Sequence, residues 1–469
     1  MSHVTGTRQS KSHSGASSSS QRSGQVFEVL STQVDLLVPT RGFRIVDDQD
    51  RELKTILEQI EHQHGVRIRL KGQQDPIQIS AASPQNARAA MGSILKSLVL
   101  REGHATVWQD SVLVAPLSGD KCAIRILLQE SPGTTWFRPA AAPTDSTEVA
   151  DALAVQAYKS DLTAAMIRVG DGLRYSPNRM RMRIAFGKLF FKERKRGTTS
   201  YTLDEFSRLA RRVSSRGTSY MEMRLGGESM REKIQHAFSL DPDFGDPQGT
   251  ENFVIVTTKN INLEVSVDGN QYSGFTFGSL NVFHREKSHR SVELATACPD
   301  KNHDWVMKVE SPIDETGNKL PLDQRTLSKG IKIRPSANAN ANCIEPYVAA
   351  SFAQTHHIEA LIGKTTWSYY LNKDYIVELS LYRHWSTLSD TKRQPQEPVT
   401  GVSVSMYRPE WNDNLANADV SAGPRSWETF PKQFFKSSMS PADPTRDLDP
   451  VDALLHWVGK VQTLLDRIV

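Results

Sequence analysis

The chain has 469 residues, with 57 Lys/Arg against 53 Asp/Glu, a net charge of +4, and 38% hydrophobic and 23% charged residues. That length allows two to four domains with a sizeable core, and no run approaches the roughly 18 apolar residues of a membrane-spanning helix. Cys122, Cys298 and Cys343 lie far apart; they form neither a metal-binding pair nor a disulfide framework, which points to a reducing compartment.

Residues 1–27 are rich in Ser, Gly and basic side chains, including Ser17 to Ser20, and the first acidic residue is Glu28. So few apolar groups predict a disordered tail. A mitochondrial leader shares the Ser/Arg bias but also needs an amphipathic apolar face, for which Val4 is nearly the only candidate; no secretory h-region is present. The expected location is therefore cytoplasmic, with mitochondrial import as the weaker alternative.

Residues 28–130 read as one α/β module with a strand extension. Leu53, Ile56, Leu57 and Ile60 recur at the spacing of one helix face. The helix stops at His64-Gly65, where Gly takes the left-handed conformation that ends a helix. Val66, Ile68 and Leu70 then alternate with Arg67, Arg69 and Lys71, giving a strand with one apolar and one basic face. A polar turn over 71–76 leads to the strand Ile77-Gln78-Ile79-Ser80. Ser83-Pro84 opens a second helix as N-cap and first-turn proline, with Ala87, Ala90, Met91, Ile94, Leu95 and Leu98 on its apolar face.

This succession, helix, "HGVRIRL", polar loop, "IQIS", "SPQNARAAMGSIL", resembles the K homology (KH) RNA-binding domain, and Val34 to Pro39 resembles its first strand. The resemblance spans roughly residues 28–102 and implies single-stranded RNA as a partner. It departs at one place. A KH domain grips four nucleotides with a Gly-x-x-Gly loop, because only glycine lets backbone amides approach phosphates so closely. Counting back from Leu57, that loop falls at Arg51-Glu52-Leu53-Lys54, which holds no glycine, and Asp47, Asp48 and Asp50 precede it. The resemblance therefore implies a divergent KH module without its usual RNA clamp.

Strand patterns continue through "ATVWQDSVLVAPL" and "CAIRILLQ", which extend the KH-like sheet or begin the next domain; the boundary is expected after residue 130, with both as a strand extension of the KH-like module. Residues 131–148, rich in Pro, Thr and Ala, read as a linker, and Ser146 or Thr147 could cap a helix from Val149 to about Val169. From Arg168 to Arg216 there are 14 Lys/Arg against 4 Asp/Glu, a local balance of +10 that leaves the rest of the chain at −6. Such an asymmetry points to a polyanionic partner. Met180, Met182, Ile184 and Phe186 alternate with Arg179, Arg181 and Arg183, predicting a strand with a core face and an arginine face. Lys192 to Arg196 form a basic turn. A helix follows with Thr202 as N-cap, Asp204-Glu205 in its first turn and Arg208, Arg211 and Arg212 near one face.

From about 252 to 410 short apolar runs separated by Gly, Asn, Asp and Pro turns predict a large antiparallel sheet, sandwich or open barrel. Asp268-Gly269 is a hairpin signal. Residues 386–400 and 412–450 read as long loops. Val451 to Val469 form an amphipathic helix expected to dock on the core. The fold class is α+β: an N-terminal KH-like module, then a mixed domain over 149–469 dominated by antiparallel sheet. With "MRMRIAFGKLFF", "ACPDKNHDWVMKVES" and "WSYYLNKDYIVELSLYRHW" after the KH-like module, the chain resembles a group of filamentous-fungal KH proteins with a large C-terminal domain. That resemblance implies an architecture and a source, and carries no mechanism.

No catalytic motif emerges, and the expectation is a protein that is not an enzyme and holds no cofactor or metal. Gly363-Lys364-Thr365 mimics the end of a P-loop, but position 358 is Ile where the pattern needs Gly, and both flanks read as strand. His284, His289, Cys298 and His303 are too loosely spaced for zinc. His356 and His357, adjacent on a strand start, face opposite ways. A metal-dependent tunnel phosphatase would need paired carboxylates, whereas Glu264, Glu293, Glu310 and Glu378 occur singly. "HDW" at 303–305 and "YRHW" at 382–385 read as core Trp residues with polar neighbours facing out.

The first expectation is thus a non-catalytic RNA-binding or ribonucleoprotein-associated protein with no membrane contact. Its candidate nucleic-acid residues are Arg67, Arg69 and Lys71 on the KH-like module and Arg179, Arg181, Arg183, Lys195, Arg196, Arg211 and Arg212 on the basic segment, acting by electrostatic capture of phosphates. The second is a protein scaffold in which the KH-like module no longer binds RNA. Arg179, Arg181 and Arg183 exposed beside the KH-like sheet would favour RNA; buried against carboxylates they would favour the scaffold.

Overall fold

The computed structural model describes residues 32–36, 51–69, 77–91, 93–94, 111–116, 125–131, 134–141, 152–173, 179–192, 200–215, 219–259, 261–270, 274–284, 291–310, 330–335, 344–386, 398–416, 429–435, 444–445 and 447–468. The expected Ser-rich tail, Leu70, Lys71, Leu95, Leu98, Ser146, Thr147, Lys195 and Arg196 lie outside them. The chain divides into two compact units, Met1–Ala105 and Thr106–Val469.

In the first unit, β1 (Thr32–Leu36), α1 (Arg51–His64), β2 (Val66–Arg69) and β3 (Ile77–Ala81) are followed by helix α2 over residues 84–91 and 93–94. The strands form an antiparallel sheet in the order β1-β3-β2. Gly65 has φ +60 and ends α1 as its sequence requires. Ser83 caps α2, its hydroxyl accepting from the Asn86 N–H at 3.2 Å. Leu57, Ile60, Val66, Ile77, Ile79, Ala87, Ala90 and Ile94 form the core. His64 reaches Ser93 at 2.9 Å, tying the end of α1 to α2.

The second unit contains β4 (Ser111–Val114), β5 (Ile126–Glu130), β6 (Phe137–Ala141), α3 (Ala152–Leu173), β7 (Arg181–Phe191), β8 (Ser200–Tyr201), α4 (Leu203–Ser215), β9 (Ser219–Glu222) and α5 (Glu228–Leu240). Then come β10 (Phe244–Thr258), β11 (Ile261–Asn270), β12 (Gly274–His284), β13 (Ser291–Ala297), β14 (Asp304–Glu310), β15 (Lys332–Pro335) and β16 (Ile344–Tyr347). The chain continues with β17 (Ile358–Leu371), β18 (Tyr375–Ser386), β19 (Val399–Tyr407) and the C-terminal helix Pro450–Ile468. Fourteen strands make one sheet with the main path β12-β11-β10-β17-β18-β19-β7-β14-β13-β4. Along that path β4 pairs parallel with β13 and the other neighbours are antiparallel. The α+β class with its mostly antiparallel sheet agrees with the sequence expectation.

Two boundaries differ from it. β4 and β5 do not extend the KH-like sheet, because β4 pairs with β13, and β5 pairs with β6 and β8. Part of the expected linker is strand β6, held by β5 and, at Phe137, by β7. Alternation shows which face of a strand is apolar but not which strand accepts it. Here Val112, Val114, Ile126, Leu128 and Phe137 complete a core with Phe206, Leu209 and Val213 of α4. The Thr202 cap is present as a reciprocal capping box: Thr202 Oγ1 accepts from Glu205 N–H at 3.2 Å, and Glu205 accepts from Thr202 N–H at 3.0 Å. The hairpin between β11 and β12 is present, but Asp268 and Gly269 are paired with Thr276 and Phe275 and the connection falls beyond Asn270; a Cβ at Gly269 (φ +102) would lie 2.1 Å from the Gly274 carbonyl oxygen.

The two faces of the sheet differ in kind. On one, Met182, Ile184 and Phe186 of β7, Met307 and Val309 of β14, Val377, Leu379 and Leu381 of β18 and Val404 and Met406 of β19 pack against α3, α5 and the C-terminal helix. That helix buries Leu454, Trp457, Val458, Val461 and Leu465, as its periodicity requires. The register puts Arg181, Arg183, Lys308, Glu310, Ser405, Glu378, Ser380, Lys364 and Glu264 together on the other face.

Candidate functional site

Arg181 on β7 and Glu264 on β11 are five strand steps apart along the hydrogen-bonded path. At about 4.8 Å per step a flat sheet would separate them by about 24 Å. Their side chains nevertheless meet at 2.9 Å. The sheet is therefore coiled on itself, and its charged face is the concave one. The same side chain binds Glu310 of β14 at 2.5 Å, and its guanidinium lies 4.4 Å from the centre of the Phe283 ring of β12. One arginine thus ties both ends of the curl together.

The rest of the network follows the register. Arg183 stands two residues along β7, stacked 3.4 Å from the centre of the Tyr407 ring and 3.6 Å from Glu378; it also donates to the Met182 carbonyl and Asn412. Lys308, cross-strand from Arg183, binds Glu310 at 2.9 Å. Ser405 donates to Glu378 at 3.2 Å, and Thr366 and Ser380 bond each other at 2.9 Å.

Arg181 is 32% exposed and Lys308 29%, although protein surrounds both. Water therefore reaches into the hollow, which is not a dry core. Burial works against the charge on Arg181, but Glu310 and Glu264 outweigh it and raise its pKa. Burial alone would raise the Glu310 carboxyl, yet Arg181 and Lys308 pull it down to about 2. Glu264 is lowered in the same way, burial being overcome by Arg181 and Lys364. Lys308 is raised because Glu310 outweighs burial. Burial, with help from Glu378, pushes the Tyr407 phenol up to about 12.

A contrasting carboxylate lies at the end of the sheet that α4 covers. Asp304 is buried, accepts from the Cys298 N–H at 2.6 Å and the Leu189 N–H at 2.7 Å, and meets no cation within ion-pair distance among the described residues. Burial pushes its pKa up to about 6 against those two bonds. Beside it His303 holds Asp466 of the C-terminal helix at 2.7 Å, and Gln462 donates to the His303 carbonyl. These contacts lock the 298–304 turn under the helix, and burial raises the Cys298 thiol well above its usual range.

The sequence-derived arginines do not form one track. Arg181 and Arg183 are neutralised inside the hollow, so the expected row of phosphate contacts is corrected to an internal carboxylate network. Arg211 binds Asp161 of α3 at 2.5 Å and Arg208 binds Asp204 at 2.7 Å, both at the surface. Arg179 and Arg212 are exposed. Arg67 and Arg69 stand exposed on β2 and make no ion pair with a described residue. The residues spanning 51–54 are the first turn of α1, so helix stands where a Gly-x-x-Gly loop would fall. Lys364 and the partners Glu264, Glu310 and Glu378 were not legible as a site, because each stands singly in its own strand and they meet only through the coil of the sheet. Among the described residues no group of His, Cys, Asp and Glu could hold a metal ion. None of the described helices is long and apolar enough to cross a membrane.

The second unit defines a class: an α+β domain built on a coiled, mostly antiparallel sheet with an apolar, helix-covered face and a charged hollow. The chain belongs to the family defined by the domain of unknown function DUF7905, whose model matches residues 159–441, from within α3 to short of the C-terminal helix. No curated protein matches the chain.

Proposed function

We propose that the protein is a non-catalytic, ribonucleoprotein-associated binding protein of the cytoplasm that contacts single-stranded RNA through its KH-like unit. The observation that carries this reading is the contrast among its arginines. Arg181, Arg183, Arg208 and Arg211 are each met by a carboxylate. Arg67 and Arg69 lie side by side on an exposed strand face with no carboxylate within ion-pair distance among the described residues. The sheet positions beside them hold Ser80 and Gln78, which add no opposing charge. The sequence of α1, two strands and α2 agrees with the KH pattern. Without a glycine clamp the contact is electrostatic, so affinity falls steeply with salt.

The test is ultraviolet crosslinking of the purified full-length protein to pooled single-stranded RNA, with crosslinked peptides mapped by mass spectrometry. Crosslinks are expected around 66–71, lost in the Arg67→Glu/Arg69→Glu variant. Crosslinks confined to 179–216, or none at low salt, would overturn the reading. A protein scaffold is the second reading, favoured by the pairing of Arg181 and Arg183 with carboxylates and by the helical turn at 51–54, where a Gly-x-x-Gly loop would fall. It requires protein partners that survive nuclease treatment.

A further inference from the structure

Beyond the helix-covered core, β7 continues the alternation of Met182, Ile184 and Phe186 with Lys188, Phe190 and, one residue past its end, Lys192. Phe191 pairs with Phe137 of β6 and with Ser219 of β9, so those two strands flank this end of β7. Alternation then sets Trp136 and Arg138 of the β6 side and Tyr220 and Glu222 of β9 on the same face as Lys188, Phe190 and Lys192. Trp136 and Tyr220 meet above the strand between them, edge to face with ring centres 4.6 Å apart, and Tyr220 stacks on Phe190 at 5.2 Å. Phe190 is buried, whereas Trp136 and Tyr220 are half-buried. None of the three rings belongs to either apolar core of this part of the sheet.

Cations border the rings. Lys192 is exposed, its ammonium 5.9 Å from the centre of the Trp136 ring. Lys188 is half-buried, and burial, then the nearby charge of Arg138, lower its pKa. Arg138 donates to the Lys301 and Asn302 carbonyls at 3.0 and 2.5 Å. None of the three has a carboxylate within ion-pair distance among the described residues. Of the described residues of β6, β7 and β9, only Glu222 brings a carboxylate to this face, and it accepts from the Arg224 N–H at 3.0 Å. Ring faces outside a core, beside cations without counter-charges, suit a single strand of nucleic acid. Its bases stack on aromatic faces whatever their sequence, and its phosphates meet the cations. An acidic peptide would answer the lysines and leave the rings unused; a duplex keeps its base faces stacked inside.

We propose that this end of β7 is a stacking platform for single-stranded RNA, with bases on the Trp136 and Tyr220 rings and backbone phosphates on Lys188 and Lys192. It is a contact of the second unit alone and does not rest on RNA binding by Arg67 and Arg69.

The experiment is fluorescence anisotropy of end-labelled oligoadenylate, roughly ten nucleotides long, with the full-length Arg67→Glu/Arg69→Glu protein, in which the first unit's arginines are reversed. Binding is expected to persist at low salt. Unlabelled oligoadenylate should compete, a base-free phosphodiester oligomer of the same charge should compete at least about tenfold less well, and oligoglutamate should not compete. In the same background Trp136→Leu should weaken binding at least about fivefold. Lys192→Met should lower the slope of log affinity against log salt by about 1. Lys233→Met, exposed on α5, should change neither. Circular dichroism checks that the variants fold, and the comparison of oligomers needs no further variant. No binding at low salt, equal competition by the base-free oligomer or by oligoglutamate, or full affinity in a folded Trp136→Leu would each overturn the proposal. Crosslinking at 66–71 in the wild-type protein is unaffected by these results, so the two readings fail separately.

Discussion

Arg67-Ile68-Arg69 in the first unit and Arg181-Met182-Arg183 in the second are the same local pattern, two arginines alternating with an apolar residue on a strand. In β2 the arginines face outward and meet no carboxylate among the described residues. In β7 they face a hollow and meet Glu264, Glu310 and Glu378. Alternation fixes the face of a strand on which a charge stands. What that face meets depends on the curvature of the whole sheet, which brings β11 back over β7. The same basic strand pattern therefore faces outward in the three-stranded sheet and into internal charge pairing in the coiled one.

The largest expected effect breaks the second half of that comparison. Arg181→Leu strands Glu264 and Glu310 without their guanidinium. Removing one partner of a buried pair costs about 3–5 kcal/mol, and the water that reaches Arg181 lowers this to about 2–3 kcal/mol. All eight tryptophans lie beyond residue 105, so urea unfolding followed by tryptophan fluorescence reports the second unit alone. A change below about 0.5 kcal/mol would mean that the network contributes no stability and that Arg181 is held for another purpose.

Next in size is a pH effect that separates two buried carboxylates of the same sheet. Burial pushes Asp304 up to about 6, above the usual 3.8, against two N–H bonds and the more distant charge of Arg138. Its contribution to stability is full below about pH 4 and is lost as pH rises through 6. Glu310 meets two cations and has a pKa of about 2, below the usual 4.5. Its contribution is full above about pH 4.5 and is lost as pH falls through 2. Relative to Asp304→Asn, which cannot ionise, the wild-type protein should lose about 2–3 kcal/mol between pH 4 and pH 7. Urea midpoints measured across that range check it; parallel curves for the two proteins would show that Asp304 does not titrate in this window.

Thr202→Ala comes third, at about 1 kcal/mol, because it removes one half of the capping box on α4. A restored midpoint in Thr202→Ser would assign the loss to the cap hydroxyl. This site was legible in the sequence, as were Gly65, the core face of β7 and the C-terminal helix, because each rests on residues within a few positions of one another. The charged hollow was not. Glu264, Glu310 and Glu378 stand singly in three strands, which argues against a paired-carboxylate metal site and hides the fact that two of them converge on Arg181. The domain boundary failed for the same reason: the apolar residues of β4 show that it needs a partner, and the partner, β13, lies well over a hundred residues downstream.

The smallest expected effect completes the comparison. Arg67→Ala and Arg69→Ala remove exposed side chains that make no ion pair with a described residue, so each should change stability by less than about 0.5 kcal/mol. The first unit has no tryptophan, so hydrogen exchange of α1 and β3 amides is the measure, with a change in protection the sign of a structural role. If protection is unchanged while RNA crosslinking at 66–71 is lost, the two arginines serve a partner and not the fold. If protection falls, β2 resembles β7 after all, with the arginines holding their own unit together, and the RNA reading loses the contrast on which it stands.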